Sequence, residues 1–249
     1  MEQLPLISFI TVVRNGEKVL EGTIKSVISQ TYPAREYILV DGDSKDGTIN
    51  IIKKYKKYIN NWISEPDKSH FDAMNKGLKL ATGKYVWFIN AGDQIYDKYT
   101  VQKIFKKAKN ADVYFGETAL INLKGDKIGM WWRKNPKELT WRKMDKGMVV
   151  CHQSFIIRKS LAGKFNLTYP ISSDIDWIIR GLKKSKKIIN TNLILSKYLT
   201  GGLSEQKTIQ MFLDCYKIYF KHIGVMRTLA NHFPVALYLL GYKFFKLRF

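Results

Sequence analysis

The apolar positions of this 249-residue chain follow two rhythms in turn. Leu6 to Val13 (LISFITVV) is a continuous, largely β-branched run bounded by Pro5 and by Arg14-Asn15-Gly16, which predicts a strand buried on both faces. Glu17 to Gln30 places Val19, Leu20, Ile24, Val27 and Ile28 at helical spacing. Glu36 to Val40 (EYILV) predicts a second buried strand, which ends in the acidic turn DGDSKDGT. The pattern then predicts a helix over Thr48 to Tyr58, a short strand over Asn61 to Ser64, and a helix over Ser69 to Leu80 stopped by Ala81-Thr82-Gly83. Lys84 to Ile89 (KYVWFI) predicts a third buried strand, and Tyr99 to Lys109 another amphipathic helix. This alternation implies right-handed βαβ units, an α/β fold with a mostly parallel sheet flanked by helices. Ligands of such sheets bind beyond the carboxyl ends of the strands.

After Ala111 the pattern changes. Val113 to Phe115, Ala119 to Asn122 and Ile128 to Trp132 predict shorter strands around turns such as Lys124-Gly125-Asp126, a mixed or antiparallel addition. Ile175 to Leu182 predicts a helix opened by Ser172-Ser173-Asp174, and from Gln206 to Phe249 the chain turns helical, basic and aromatic. The expected division is a catalytic domain over 1–204 and a basic amphipathic segment over 205–249.

Composition narrows the class. With 45% hydrophobic and 25% charged residues the chain can bury a core, so disorder is excluded as its main state. Two cysteines, Cys151 and Cys215, exclude a disulfide scaffold and a Cys-rich zinc site. The opening MEQLPLISFITVVRNG has no secretory-signal pattern, which makes the cytoplasm the expected compartment. The outlying number is charge: 42 Lys and Arg against 21 Asp and Glu, a net +21. Such an excess attracts nucleic acid, acidic lipid or phosphorylated substrates, while its plainest reading is a solvated lysine surface.

Motif searches remove two nucleotide-site types. No GxGxxG follows the first strand and no GxxxxGK[ST] occurs, which disfavours a dehydrogenase-type dinucleotide site and excludes a P-loop. Carboxylates at strand ends remain. Asp41 ends a buried strand, where it can accept from a base N–H or a ribose hydroxyl, or can build a turn with Asp43 and Asp46. The ligand role is the expectation for Asp41 and the turn role for the other two. Asp93 closes the third strand after Asn90-Ala91-Gly92, as an Asx turn or as one carboxylate of a Mg²⁺ or Mn²⁺ site completed by phosphate and water.

Three ordered stretches carry a resemblance. SFITVVRNGEKVLEGTIKSVISQTYPAREYILVDGDSKDGT is similar to the opening of family 2 glycosyltransferases of the GT-A fold. EPDKSHFDAMNKGLKLATGKYVWFINAGD resembles their donor-binding segment, and CHQSFIIRK, SSDIDWIIR and GGLS resemble their acceptor-side half. The similarity covers residues 5–205. It implies transfer of a sugar from a nucleotide-diphosphate donor, a UDP-sugar by family expectation, with inversion and with Mn²⁺ or Mg²⁺. By the resemblance, Thr11, Val13, Asn15 and Asp41 meet the base and ribose, and Asp67, Asp72, Asn75 and Lys76 line the donor. Asp93 is the final Asp of the metal motif, with Asn90, Ala91 and Gly92 where the family carries further acids. Asp174 is the general base, although Ser173 replaces the usual preceding Glu and leaves Asp176 as a competitor. His152 is expected at the site rim, with a core histidine as the alternative. Gly201-Gly202-Leu203-Ser204 reads as a mobile lid reaching the diphosphate, chiefly Gly202 and Ser204, or as a helix-leading turn. Trp131, Trp132 and Trp141 read as core or as sugar platforms.

In the tail, Phe212, Tyr216, Tyr219, Phe220 and Ile223 lie near one helical stripe with lysines beside it. The longest uncharged run, Thr228 to Tyr242, falls short of the ~20 residues that span a bilayer. The expectation is a helix pair lying in an anionic membrane surface on the inner face of the cell membrane, which favours a lipid-linked or polysaccharide acceptor, as in O-antigen or capsule assembly. Docking of those helices on the catalytic domain, or dimerisation, is the alternative. A nucleic-acid-binding module finds no RNP, KH or zinc-finger pattern. A non-catalytic GT-A scaffold rests only on the single metal-motif carboxylate. The sugar, acceptor, linkage and oligomeric state stay open.

Overall fold

The computed structural model describes residues 4–107, 109–202 and 206–231. Its centre is a nine-stranded sheet in the order β3-β2-β1-β4-β8-β6-β9-β5, with β7 paired to β6. β1 (Ile7–Val13), β2 (Arg35–Asp41), β3 (Asn61–Ser64) and β4 (Tyr85–Phe88) run parallel, as their apolar runs and intervening helices predict. β8 (Phe155–Arg158) enters antiparallel between β4 and β6 (Val113–Ile121), and β7 (Lys127–Met130) hairpins on β6. β9 (Ile188–Leu199) pairs with β6 in parallel and with the two-residue β5 (Gln94–Ile95) antiparallel. The expected α/β sheet with an antiparallel addition is the architecture found.

Alternation along the strands gives the sheet two buried faces. On one, Ile10, Val12, Ile38, Val40 and Phe88 meet α3 (His70–Leu80) and α5 (Ser173–Lys184). On the other, Phe9, Leu39, Trp87 and Tyr114 meet α1 (Leu20–Ile28) and α4 (Thr100–Lys107). α2 (Thr48–Lys54) packs beside α1. α3 starts where Ser69 Oγ accepts the Asp72 N–H at 3.2 Å, which satisfies one of the free N–H groups of its first turn.

α6 (Thr208–Ile223) docks on the α/β core, the alternative given for this part of the tail. Its Ile218 and Tyr219 are buried in the α3/α5 core, and its fully buried Asp214 accepts the backbone N–H groups of Ile171 and Ser172 at 2.8 and 3.2 Å. Of the expected stripe, Tyr219 faces the protein, whereas Phe220 stays on the outer side with Ile209 and Leu213. Packing continues through residue 231, so 205 is not a packing boundary: Arg227 pairs with Asp145 and Asn231 donates to the Asp145 carbonyl. No helix of the described residues is long and apolar enough to cross a membrane. The final aromatic run of the tail lies outside the described residues.

Candidate active site

β1 lies between β2 and β4 at the point where the strand order turns, and the loops leaving these strands meet at one edge. Gly42 N–H donates to the Val13 carbonyl at 2.8 Å and Ala91 N–H to the Val12 carbonyl at 3.2 Å. The loops after β1 and β2 are tied together: Asn15 N–H donates to Ser44 Oγ at 2.7 Å, Lys45 N–H to Asn15 Oδ1 at 2.9 Å, and Gly16 N–H to Thr48 Oγ1 at 2.8 Å. Asn15 and Asp43 take left-handed backbone (φ 51° and 59°), which these two residue types tolerate best after glycine. Asp46 accepts the N–H groups of Thr48 and Glu17, the turn-building role expected of it.

Asp41 sits at the end of β2, fully enclosed. Its carboxylate accepts Ser44 N–H at 3.0 Å, the Ser44 hydroxyl, and the Ser64 hydroxyl at 2.7 Å. Three of its roughly four lone-pair sites are thus already used. Thr11 departs from expectation. Its hydroxyl donates to the Ile89 carbonyl at 2.7 Å and accepts from Tyr37 at 3.0 Å within the sheet, so it clamps β1 to the neighbouring strands and does not face the crevice. Val13 is likewise buried, packed against Gly16.

Asp67 reaches the same edge from the loop before α3. Its Oδ2 lies 2.7 Å from where a Cβ on Gly42 would stand, and Gly42 also abuts Arg14, so this close approach requires glycine at position 42. Lys76 donates to Asp67 at 2.6 Å and also pairs with Glu65 at 2.9 Å. Burial pushes the Asp67 carboxyl up, with Lys76 opposing the shift. Asp72 accepts Lys68 N–H at 3.1 Å and so shapes the turn into α3. Asn75 exchanges two hydrogen bonds with the Phe165 backbone, at 3.0 and 2.7 Å, and so fixes the loop before α5. Asp72 and Asn75 therefore serve this wall of the crevice through backbone contacts.

The segment after β4 is the most tightly built. The Thr23 hydroxyl donates to the Asp93 carbonyl at 2.7 Å and accepts Gly92 N–H at 2.9 Å, while Asp93 N–H closes the turn on the Asn90 carbonyl. Gly92 has φ 100°, and a Cβ there would stand 2.7 Å from Leu199, which accounts for glycine. The Asp93 carboxylate, 4% exposed, accepts Leu199 N–H at 3.0 Å and Gln153 Nε2–H at 2.9 Å. Burial raises it to about 7 against these two donors. Gln153 is itself held by Cys151 Sγ–H at its Oε1, and its carbonyl accepts Trp87 Nε1–H at 2.8 Å. Thr23, Gln153 and Leu199 were not legible as site residues; only the adjacency of Gln153 to His152 pointed toward the first of these contacts. Asn90 Oδ1 is buried with no hydrogen-bond partner among the described residues. Among the described residues no three His, Cys, Asp or Glu side chains gather as a metal-ligand set. Asp93 with the unpartnered Asn90 oxygen nevertheless fits a Mn²⁺ or Mg²⁺ ion that takes its other ligands from a diphosphate and water.

His152 follows Cys151 in a 3-10 turn and is enclosed by Phe88, Phe165 and Trp177, with ring centroids 5.5 to 5.9 Å away. Its Nε2 is buried without a partner among the described residues. Burial, reinforced by His70, lowers it to about 3, so the imidazole is neutral. Asp174, in the first turn of α5, is half-buried and accepts the adjacent Ile175 N–H at 3.0 Å. Burial raises it to about 6. Gln153, which holds Asp93, is preceded by His152, whose ring lies 5.6 Å from that of Trp177 in the first turns of the helix that carries Asp174, so the two carboxylates flank the same 3-10 turn. Burial drives the thiol of Cys151, at the start of that turn, up to about 12.

Asp176 does not compete. Fully buried on the far side of the turn, it takes Arg180 Nε at 2.6 Å, His222 Nε2 at 2.8 Å and Lys221 Nζ at 3.4 Å. Burial alone would raise its carboxyl; His222, Arg180 and Lys221 outweigh that and hold it at about 2. It joins α5 to α6. Gly202 ends the described part of the lid sequence and accepts Gln206 N–H at 3.3 Å; Ser204 lies outside the described residues. Trp131 and Trp141 are half-buried, and Trp132 is exposed.

Comparison with known proteins gives a consistent picture. The family model described as Glycosyl transferase family 2 matches residues 8–164. The putative teichuronic acid biosynthesis glycosyltransferase TuaG of Bacillus subtilis is 28% identical over 210 residues, which cover 82% of this chain and 83% of that protein. Among solved structures, residues 1–349 of Staphylococcus aureus TarS in complex with UDP superpose with a TM-score of 0.69 at 18% identity, covering 98% of this chain and 75% of that one. The mannosyltransferase PcManGT of Pyrobaculum calidifontis, in complex with GDP-Man and Mn²⁺, gives 0.62 at 14% identity, covering 95% and 76%.

Proposed function

The chain belongs to glycosyl transferase family 2 and is a glycosyltransferase, and we propose that it moves a sugar, with inversion, from a UDP-sugar to a hydroxyl of a lipid-linked or polysaccharide acceptor in cell-surface glycan assembly. One observation carries the reading. Asp93 and Asp174, from different elements, flank the turn Cys151-His152-Gln153, the first held by Gln153 and by the Leu199 N–H and the second free of cations among the described residues, on the helix whose Trp177 lies 5.6 Å from His152.

The donor lies in the crevice where the loops after β1, β2 and β4 meet. Asp41, held by Ser44 and Ser64, and the buried Val13 brace the turns that receive the base and ribose, and the exposed Asn15 borders the nucleoside. Asp67 and Lys76 form the outer wall. Asp93 and Asn90 would hold a divalent cation, which would supply positive charge to the departing diphosphate. Ala91, Gly92 and Gly202 bring backbone close to it. Both supporting structures carry a nucleotide in this fold, UDP in TarS and GDP-Man with Mn²⁺ in PcManGT.

Asp174 takes the proton of the acceptor hydroxyl as that oxygen bonds to the anomeric carbon and the bond to the diphosphate breaks on the opposite face. With its carboxyl at about 6, the group is still ionised at neutral pH and is a stronger base than an ordinary aspartate. No protein nucleophile is required for a single displacement. His152, neutral and with Nε2 unpartnered, accepts from or donates to the bound acceptor or phosphate. The net charge of +21 and the outward Ile209, Leu213 and Phe220 of α6 support work at the inner face of the membrane.

The test is a screen of nucleotide sugars with Mn²⁺ and Mg²⁺, scored by hydrolysis and by transfer to membrane-extracted acceptors. Metal-dependent turnover of one donor, lost in Asp174→Asn for transfer but with UDP affinity intact, supports the reading. A chain that binds no nucleotide sugar in the presence of either ion would be a scaffold instead.

A further inference from the structure

The hairpin that joins β6 to β7 takes no part in the site. Among the described residues β7 pairs only with β6 and lies at an edge. Leu123 at its tip is 77% exposed, and Ile128, Met130 and Trp132 follow at a spacing of two, exposed by 56, 40 and 66%. The intervening Gly129 and Trp131 are half-buried, with Gly129 over Leu120. The alternation is thus inverted relative to an ordinary surface strand: the large apolar side chains face outward in one row. A soluble edge strand is normally blunted by charge along that row, so a continuous apolar row calls for a partner.

Charge identifies the partner. Lys124, Lys127, Arg133 and Lys134 stand against Asp126 alone, four positive groups less one negative, net +3 over the hairpin. The Arg133 guanidinium lies 4.4 Å over the Trp132 ring, which presents indole and cation together. Aliphatic tip, tryptophan and flanking cations are the composition of a surface that rests at the boundary between acyl chains and anionic head groups. A second copy of this chain is disfavoured as the occupant, because edge-to-edge pairing would oppose +3 to +3 between molecules that each carry +21.

Position gives the surface a purpose. Thr200, two residues before Gly202, donates its N–H to the Ile121 carbonyl at the end of β6 at 3.2 Å, and the neighbouring Leu199 N–H is held by Asp93. The base of the hairpin is therefore joined to Asp93 through two consecutive residues of β9's end. We propose that the β6–β7 hairpin is a wedge that docks on an anionic phospholipid bilayer, with Leu123 and Trp132 entering the interface, and sets the crevice beside the bilayer surface. The proposal rests on the reading of a lipid-linked acceptor and adds to it a contact independent of the C-terminal tail.

The test uses the full chain with sucrose-loaded vesicles of phosphatidylcholine alone or mixed with phosphatidylglycerol. Wild type should pellet with the mixed vesicles and much less with the neutral ones. L123E/I128E/W132E should lower the partition coefficient by about tenfold or more while keeping the wild-type melting temperature and nucleotide-sugar hydrolysis. As a check that does not rely on a triple variant, brominated lipid should quench wild-type tryptophan emission, and W132F should lose that quenching. A triple variant that pellets like wild type, or W132F that is quenched like wild type, overturns the hairpin contact alone. Wild type that binds neither vesicle overturns the hairpin and the membrane placement together. A concentration-dependent dimer in sedimentation velocity that the triple variant abolishes assigns the row to a second copy and also overturns the proposal. Vesicle binding without sugar-nucleotide hydrolysis would remove the enzymatic reading and leave the hairpin contact standing.

Discussion

Asp93 accepts the backbone N–H of Leu199 at 3.0 Å across 106 positions of sequence, and Gln153 Nε2–H completes the grip at 2.9 Å. The carboxylate proposed to meet the diphosphate thereby also holds the strand end that leads into Gly201-Gly202. Asp93→Ala leaves two buried donors without an acceptor, at about 1–3 kcal/mol each, so urea unfolding should show a marked loss of stability together with loss of donor hydrolysis. Asp93→Asn keeps an oxygen for Leu199 and should recover much of the stability but none of the hydrolysis. An Asn variant with wild-type hydrolysis would remove Asp93 from the diphosphate end.

Asp174→Asn is expected to lower transfer by roughly 10²–10⁴-fold with UDP affinity, read by calorimetry, unchanged. Because burial raises the carboxyl to about 6 and only the ionised form can take a proton, kcat should fall as pH drops through about 6. The residual activity of Asp174→Asn should lack that limb. A limb retained in the variant would assign the base elsewhere.

Asp176 supplies stability with the opposite pH signature. Its carboxyl is held at about 2, below the ordinary aspartate value of about 4, so its contribution is complete above about 4 and is lost as pH falls toward 2. Asp176→Asn strips a buried partner from Arg180, Lys221 and His222 and should cost about 3–5 kcal/mol in chemical denaturation, with a flatter acid limb of the stability curve. Per folded molecule, kcat should be preserved. A specific loss of kcat at full stability would make Asp176 the base after all.

His152→Phe separates packing from contact. If Nε2 only fills the cage of Phe88, Phe165 and Trp177, replacing an unpartnered buried nitrogen with a ring of similar size leaves the melting temperature equal or higher and activity intact. The expected result is that melting temperature with reduced transfer, read as a higher acceptor KM or a lower kcat.

The parallel half of the sheet was legible because its strands are buried on both faces and written as unbroken apolar runs; the run ending at Val13 and the element Asn61–Ser64 fall where the pattern put them. In the second half the helix expected over Ile175 to Leu182 is found as α5, but two strands were not legible. β9, twelve residues long, escaped because Asn190, Thr191 and Asn192 interrupt its apolar positions and Asn192 takes φ 52°, a local break that no period-two pattern anticipates. Gly116 and Glu117 made β6 read as two strands. At the site, the strand-end acids announced themselves, since an acid after a buried run is conspicuous. What each acid touches did not. Ser44 and Ser64 around Asp41, Gln153 beneath Asp93, and Arg180, Lys221 and His222 around Asp176 are contacts between residues 3 to 60 positions apart.

The grip of Asp214 on the Ile171 and Ser172 amides bears on how the C-terminal region can be interrogated. These amides lie immediately before the helix that carries Asp174. Shortening the chain ahead of α6 would unseat Asp174, the proposed proton acceptor, as well as remove the outward Ile209, Leu213 and Phe220, so loss of both activity and membrane binding in a truncate would confound two separate effects. Attachment and chemistry can be told apart only by point changes on the solvent side of α6, with Asp214, Ile218 and Tyr219 left in place.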